Sequence, residues 1–306
     1  MKKIAIMGAR GFVGKNLAER LANKYEVYPI TRKQISLLDT EAVECFIKEK
    51  EIDVIINCAN QGGARKDGYN EDKADIIGNN LKMFFNMERC LTPDMKMINF
   101  GSGAQYNKTR DLDKIIETEV GTILPEDDYG YSKYVLSKYI NASEKEIYNP
   151  IIFGLYGQYE DYTYKFISNA IVKNLLKMPI VINQNVIFDY LYIDDLEKIV
   201  VRMIEEKLPN KEFNITPTKS IDLVTLAELV NECGEFKSEI LVRNPGLNYK
   251  YTGDNGKLLE NMGGNFAFTS YREGVKDLYK YYQNHLQELD LDTVRGDKSI
   301  EYCKTK

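Results

Sequence analysis

Ile4-Ala5-Ile6-Met7-Gly8-Ala9-Arg10-Gly11-Phe12-Val13-Gly14 carries a short apolar run straight into three glycines, and a helical apolar pattern through Leu17, Ala18 and Leu21 follows at once. A strand that turns through glycines into a helix has a specific use. Gly8 suits the tight turn, Gly11 lets the backbone come close to a pyrophosphate, and Gly14 lets helix and sheet pack closely. The phosphates would sit at the helix N-terminus, which Phe12 and Val13 open. A plain glycine turn is the competing reading. The strand before the turn and the helix after it favour dinucleotide binding.

Outward from this turn, short apolar runs alternate with segments of helical periodicity, the pattern of β-α-β units around a parallel sheet. Strands are expected at 4–7, 26–30, 53–58, 95–100 and 151–155, with helices at 12–23, 40–50, 72–91 and 129–147. Beyond these the alternation loosens into a helix at 164–176, a strand at 186–193, a helix at 194–205, a strand at 212–215 and a helix at 223–233. The fold class is α/β, a doubly wound parallel sheet (Rossmann) with a smaller interleaved C-terminal substrate domain. The nucleotide-binding domain is expected over 1–155 and about 186–206, and the substrate domain over 156–185 and 207–285. Residues 286–306 are polar and read as a tail.

The chain has 306 residues, with 41 Lys+Arg against 46 Asp+Glu. That mildly acidic balance gives no uniform positive field for a phosphate backbone, so nucleic acid is not an expected partner. The five cysteines form no C-x-x-C pair, so neither a disulfide framework nor a metal site is suggested. The first strand is too short for a signal-peptide core or a membrane span, and a cytoplasmic location without a membrane partner is expected. The single histidine, His285, excludes His-based triads and multi-histidine metal centres. An enzyme built on this chain needs a different acid or base.

Cofactor choice is read at the end of the second strand, where a carboxylate would hold the adenosine 2′-hydroxyl of NAD. Here the sequence runs Ile30-Thr31-Arg32-Lys33, and Arg10 adds a third cation from the glycine turn. Guanidinium suits a 2′-phosphate, so NADP is favoured and NAD stays the alternative. Solvated surface charge is the bland reading of the same residues.

Tyr129-Gly130-Tyr131-Ser132-Lys133 opens a helical segment, so Tyr129 and Lys133 share one face. The spacing alone is weak, since Tyr69/Lys73, Tyr134/Lys138 and Tyr302/Lys306 repeat it. Tyr129 stands out by its Gly and Ser companions and by the upstream strand end Ile98-Asn99-Phe100-Gly101-Ser102, which presents Ser102 at the carboxyl edge of the sheet.

With these residues in place, the sequence resembles the extended short-chain dehydrogenase/reductase family, the nucleotide-sugar epimerases, dehydratases and reductases. The resemblance runs to about residue 285. It includes Leu37-Leu38-Asp39, Asn57-Cys58-Ala59, Asn79-Asn80-Leu81 with Asn86, Leu155-Tyr156-Gly157 and Phe188 to Leu196. Asp254 to Leu258 and Tyr271 to Val275 resemble the family's closing segments. Within the family, Arg32 to Asp39, Ala42-Val43 and Ile52-Asp53 are similar to GDP-fucose synthases. The resemblance implies hydride transfer at a sugar carbon, with Ser102, Tyr129 and Lys133 as the catalytic set. It also implies cofactor contacts at Leu38, Asp39, Cys58, Ala59, Asn80 and Lys133, and a homodimer paired through the helices at 72–91 and 129–147. Tyrosine titrates near ~10, so Lys133 is expected to favour the Tyr129 phenolate, and Ser102 to bond the reacting oxygen.

Departures narrow the reaction. A dehydratase of the family would carry Asp-Glu at 103 and 104, where this chain has Gly103 and Ala104; a GDP-fucose synthase would have cysteine at 104 and a histidine soon after Gly157, but Ala104 stands at the first and Gln158 to Asn169 contains no histidine. Where many relatives place an arginine to bind the substrate diphosphate, Phe188 stands, leaving Lys165, Lys173 and Arg243 as candidate cations. The expectation is reduction of a nucleotide-linked 4-keto sugar with NADP(H), with Gly103 and Phe188 beside the sugar. A C4 epimerase that retains its NAD is the alternative, and a dinucleotide-binding sensor or scaffold is the non-enzyme reading.

Overall fold

Ile4 and Ile6 face one side of the first strand, Ala5 and Met7 the other, and all four are buried. A strand buried on both faces needs helices on both. The computed structural model describes residues 1–62, 75–297, 300, 303 and 305. In chain order the first half holds β1 (Lys3–Met7), α1 (Phe12–Leu21), β2 (Glu26–Ile30), α2 (Thr40–Lys50), β3 (Val54–Asn57), α3 (Ile76–Glu88), β4 (Lys96–Asn99), β5 (Gly101–Ser102), β6 (Leu112–Ile115), α4 (Asp128–Ala142) and β7 (Ile147–Ile152). There follow β8 (Gly154–Tyr156), α5 (Phe166–Leu175), β9 (Ile180–Asn185), β10 (Ile187–Phe188), β11 (Tyr190–Tyr192), α6 (Ile193–Glu205) and β12 (Glu212–Ile215). The chain closes with β13 (Ile221–Asp222), α7 (Leu223–Cys233), β14 (Ile240–Leu247), β15 (Tyr251–Gly253), α8 (Gly256–Asn261), α9 (Tyr271–His285) and α10 (Leu291–Arg295).

The main sheet runs β2-β1-β3-β4-β7-β12, with β5 also on β7, and every pairing is parallel. Strand order reverses between β1 and β3, which opens a crevice at their carboxyl ends. The α2, α3 and α4 side chains cover one face, and those of α1 and α6 the other, where the core continues into α5, α7 and α9. This is the expected doubly wound α/β fold. A second sheet, β13-β10-β15-β6, and the pairs β8–β11 and β9–β14 lie beyond it.

Three local expectations change. The helix expected over 129–147 stops at Ala142, and the strand expected from 151 begins at Ile147, whose partner is Met97. Pro150, which argues against a strand through it, lies inside β7 opposite Phe100, where β4 gives way to β5; its missing N–H falls where the ladder is already interrupted. The strand expected at 186–193 divides at buried Asp189, with β10 joining the second sheet and β11 pairing β8. Asp189 fixes the division, because its side chain accepts the Gly253 N–H at 2.9 Å while its carbonyl accepts the Gly154 N–H at 3.0 Å. The stretch read as a tail carries α10, with Val294 buried.

The helix expected at 72–91 is seen as Ile76–Glu88, and residues 72–74 and the Tyr69/Lys73 pair lie outside the described residues. Phe84, Phe85 and Tyr139, apolar candidates for a dimer face, pack edge-to-face against one another between α3 and α4. No helix among the described residues is long and apolar enough to cross a membrane.

Candidate active site

Each glycine of the first turn has its own geometry. Gly8 has φ +82°, and a side chain there would meet the Ala59 backbone at 2.8 Å. At Gly14 an added Cβ would lie 2.4 Å from the Gly8 carbonyl oxygen, so α1 packs against the turn only because position 14 is bare. Gly11 is different: the nearest atom to an added Cβ is the Gly8 carbonyl oxygen at 3.5 Å, an ordinary contact, so no neighbour excludes a side chain there. Gly11 also N-caps α1 without a side-chain bond, and the first turn, begun by Phe12 and Val13, has no acidic residue. Uncapped N–H groups at this helix start form a cradle that fits a pyrophosphate.

The turn is tied to the end of the second strand, and the cations follow these two segments in the chain. Gly8 and Ala9 both donate N–H bonds of 3.0 Å to the Ile30 carbonyl, which ties the turn to the end of β2. Arg10 after one strand end and Arg32 and Lys33 after the other are exposed. Leu38 packs into the core and Asp39 N-caps α2, accepting the Ala42 N–H at 3.1 Å. Cys58 and Ala59 border the crevice from β3; the Cys58 thiol is pushed up by burial, with Lys133 as the neighbouring charge that pulls it down. Asn80 holds the following loop with three bonds, accepting from the Gln61 N–H and donating to the Gln61 carbonyl and to Ser132.

Ser102, Tyr129 and Lys133 come together although they lie on a strand end and a helix. Gly130 explains the approach: a Cβ there would meet the Ala104 carbonyl oxygen at 2.7 Å, so the first turn of α4 seats directly on the single 3-10 turn Gly103–Tyr106. Ser102 caps that turn, accepting the Ala104 N–H at 3.2 Å, and its hydroxyl is near enough to the Tyr129 phenol to pull the phenol's pKa down. Burial raises the Tyr129 pKa and Ser102 offsets part of the rise, so the phenol keeps its proton at neutral pH.

Lys133 is arranged differently from the expectation. Its Nζ donates to the Phe100 carbonyl at 2.7 Å and lies 5.7 Å from the centre of the Tyr129 ring, and it is not among the groups that shift the Tyr129 phenol. Burial pushes Lys133 down to about 8. This pair therefore presents a protonated phenol rather than a phenolate.

The substrate-side candidates separate. Phe188 packs on Tyr190 and Tyr251, with ring centres 5.1 and 5.6 Å away, and the Tyr251 hydroxyl lies 2.5 Å from where a Gly103 Cβ would stand. Lys165 is exposed at the start of α5, and Arg243 is exposed on β14. Lys173 is withdrawn from any substrate: its side chain is 1% exposed and its Nζ pairs with Asp297 at 2.6 Å. Tyr251 and Phe153 reach the Ser102 neighbourhood without having been anticipated, since nothing local marks one tyrosine among 22.

A protonated phenol and a buried ammonium beside a dinucleotide cradle serve hydride exchange at a carbonyl, and the fold and site together define an NAD(P)-dependent oxidoreductase. Comparison with known proteins makes the class specific: residues 4–216 match the NAD dependent epimerase/dehydratase family, and the chain belongs to it. It is an enzyme of the kind that modifies nucleotide sugars. Among curated proteins it is similar to GDP-6-deoxy-D-talose 4-dehydrogenase of Aggregatibacter actinomycetemcomitans, 25% identical over 94% of this chain and 100% of the relative. Among solved structures it is similar to the GDP-mannoheptose C4 reductase of Campylobacter jejuni with NADP bound, at TM-score 0.75, 19% identity and coverage of 92% and 98%. UDP-glucose 4-epimerase of Thermotoga maritima superposes at TM-score 0.76, with 20% identity and coverage of 93% and 99%. The structural likenesses establish the fold.

Proposed function

We propose that this protein reduces the 4-keto group of a nucleotide-linked sugar with NADPH, in the biosynthesis of sugars for surface polysaccharides. The observation that carries the reading is the meeting of Ser102 with a protonated Tyr129 at the carboxyl edge of the sheet, beside a glycine cradle edged by Arg10, Arg32 and Lys33. The name of the curated relative supports a GDP-linked 6-deoxy sugar as the first substrate to try.

Gly8, Gly11 and Gly14 with the α1 N-terminus would hold the pyrophosphate, Arg10 and Arg32 the 2′-phosphate, and Lys133 the nicotinamide ribose. When bound, the cofactor supplies the hydride. Ser102 donates to the ketone oxygen and polarises it, and Tyr129 delivers its proton to the oxygen as negative charge develops there. Tyr129 suits this direction because burial keeps it protonated. Lys133 keeps a positive charge beneath the site. Gly103 and Ala104 bring no acid or base that could eliminate water.

The test is NADPH oxidation against GDP-, dTDP- and UDP-linked 4-keto-6-deoxy sugars, with NADH in parallel. One NADPH consumed per product is expected, with a GDP-linked ketone best. Interconversion of C4 epimers without net NADPH use would replace the reductase by an epimerase, and a clear NADH preference would overturn the cofactor assignment.

A further inference from the structure

Ser102 ends β5 and caps the 3-10 turn Gly103–Tyr106, and its hydroxyl oxygen takes up two backbone N–H groups of that turn. The Ala104 N–H reaches it at 3.2 Å, and the capping box adds the Gln105 N–H. The box is reciprocal: the Ser102 N–H donates to the Gln105 side-chain oxygen Oε1 at 3.4 Å. A serine hydroxyl has one proton and two lone pairs. With both lone pairs engaged, the proton is all that the Ser102 hydroxyl has left to offer.

The surroundings hold this turn in place. Gln105 is fully buried, and bare Gly101 leaves it room, since a Cβ there would lie 3.1 Å from Oε1. Tyr106, at the other end of the turn, donates to the Asn214 side chain at 2.7 Å. The helix α4, which carries Tyr129, seats on the Ala104 carbonyl through Gly130. Stability gives little reason for a glutamine here: its Nε2 is buried without a partner among the described residues, a cost that an apolar side chain would avoid.

We infer that Gln105 is a positioning residue for the reduction: through the capping box it fixes Ser102 as a pure hydrogen-bond donor to the ketone oxygen. The inference rests on the ketone-reduction reading, and it assigns the residue that directs the serine of that site. A ketone oxygen only accepts, so a hydroxyl with nothing but its proton free matches it. Ser102 also has no lone pair with which to take up the Tyr129 proton, which stays available for the same oxygen. The two lone pairs of the ketone oxygen thus meet two donors, one that polarises and one that transfers its proton.

The experiment is a double-mutant cycle with NADPH and whichever ketone of the GDP-, dTDP- and UDP-linked panel the wild type reduces fastest. Gln105→Met keeps the length and removes the acceptor, and kcat should fall about tenfold with the KM for NADPH unchanged. Ser102→Ala should cost about 100-fold. Because Gln105 acts through Ser102, Gln105→Met should add nothing in the Ser102→Ala background. Gln105→Glu keeps the box oxygen and should recover most of the kcat lost in Gln105→Met. Full kcat in Gln105→Met, or losses that multiply, would overturn the assignment. A second arm, hydrogen exchange of the backbone amides, needs no substrate. Gln105→Met should speed exchange at Ser102, and Ser102→Ala at Ala104 and Gln105, each about tenfold or more. Unchanged protection in both variants would show that the hydroxyl and the amide do not hold these N–H groups. If the wild type reduces none of the ketones, the substrate reading fails, and the exchange pair still decides whether Ser102 is held as a donor.

Discussion

The proposed cofactor side of the site is built from neighbours in the chain, Gly8 to Gly14 with Arg32 one strand away, whereas the sugar side is assembled from Phe153, Phe188 and Tyr251, which share no local segment. On the first side, the strand, turn and helix that bind are also the elements that fold, so each glycine has a steric reason in the backbone beside it. On the second side, two-residue and three-residue strands meet in a small sheet, and a side chain's surroundings depend on which strand lands beside it. Ser102 and Tyr129 lie between the two and draw on both. The lesson is that a glycine turn is built by its chain neighbours, while the proposed sugar side is assembled by tertiary contact.

Four tests would break or sharpen this contrast. Tyr129→Phe removes the acid at the meeting point, and kcat should fall by ~10²–10⁴ while NADPH affinity, read by fluorescence titration, is unchanged. Retained hydride transfer would assign the proton to another group. Next, Arg10→Ala and Arg32→Ala probe the local side: each should weaken NADPH binding ~10- to 100-fold, the loss of a charge-assisted contact, and leave NADH binding unaltered. Equal losses for both cofactors would mean the cations do not read the 2′-phosphate.

A smaller effect is expected from pH. Burial disfavours the Lys133 ammonium and lowers its pKa to about 8, so the charged form prevails below that pH and is lost above it. Since the Tyr129 pKa is raised, the basic limb of kcat/KM in the free enzyme belongs to Lys133, falling about tenfold per unit above that point. Lys133→Arg should move the limb upward; a limb that stays put would belong to a different group.

The smallest effect tests the sugar-side lobe itself. Glu160 is buried, accepts the Ser168 hydroxyl at 2.5 Å, and is raised by desolvation to about 7. The folded chain therefore holds a proton that the unfolded chain releases. Its contribution is full below the ordinary carboxylate range and fades as pH climbs through about 7. Glu160→Gln should leave Tm nearly unchanged at pH 4 and add about 3 kcal/mol of stability at pH 9. An equal gain at both pH values would point to packing rather than ionisation.

Local order explains what could be read in advance. The strand–turn–helix at Gly8 to Gly14 and the helices at Thr40–Lys50 and Leu223–Cys233 follow from patterns within a few turns of chain. Ser102, Tyr129 and Lys133 were legible because a strand end and a helix start carry them. Lys173 was not: a lysine in a helix reads as solvated, yet this one is buried against Asp297, 124 residues away. The start of β7 was not legible either, because only the break between β4 and β5 makes room for Pro150 in a central strand.

The sequence alone determined the doubly wound α/β fold and the glycine turn between its first strand and helix, because these depend on residue type and short-range pattern. Only the tertiary structure decided that Lys133 bonds Phe100, that Lys173 is withdrawn, and that Tyr251 stands over Gly103. Those outcomes depend on distances between segments that the chain separates widely. Burial then fixes the ionisation of the groups that meet there, and no local pattern encodes it.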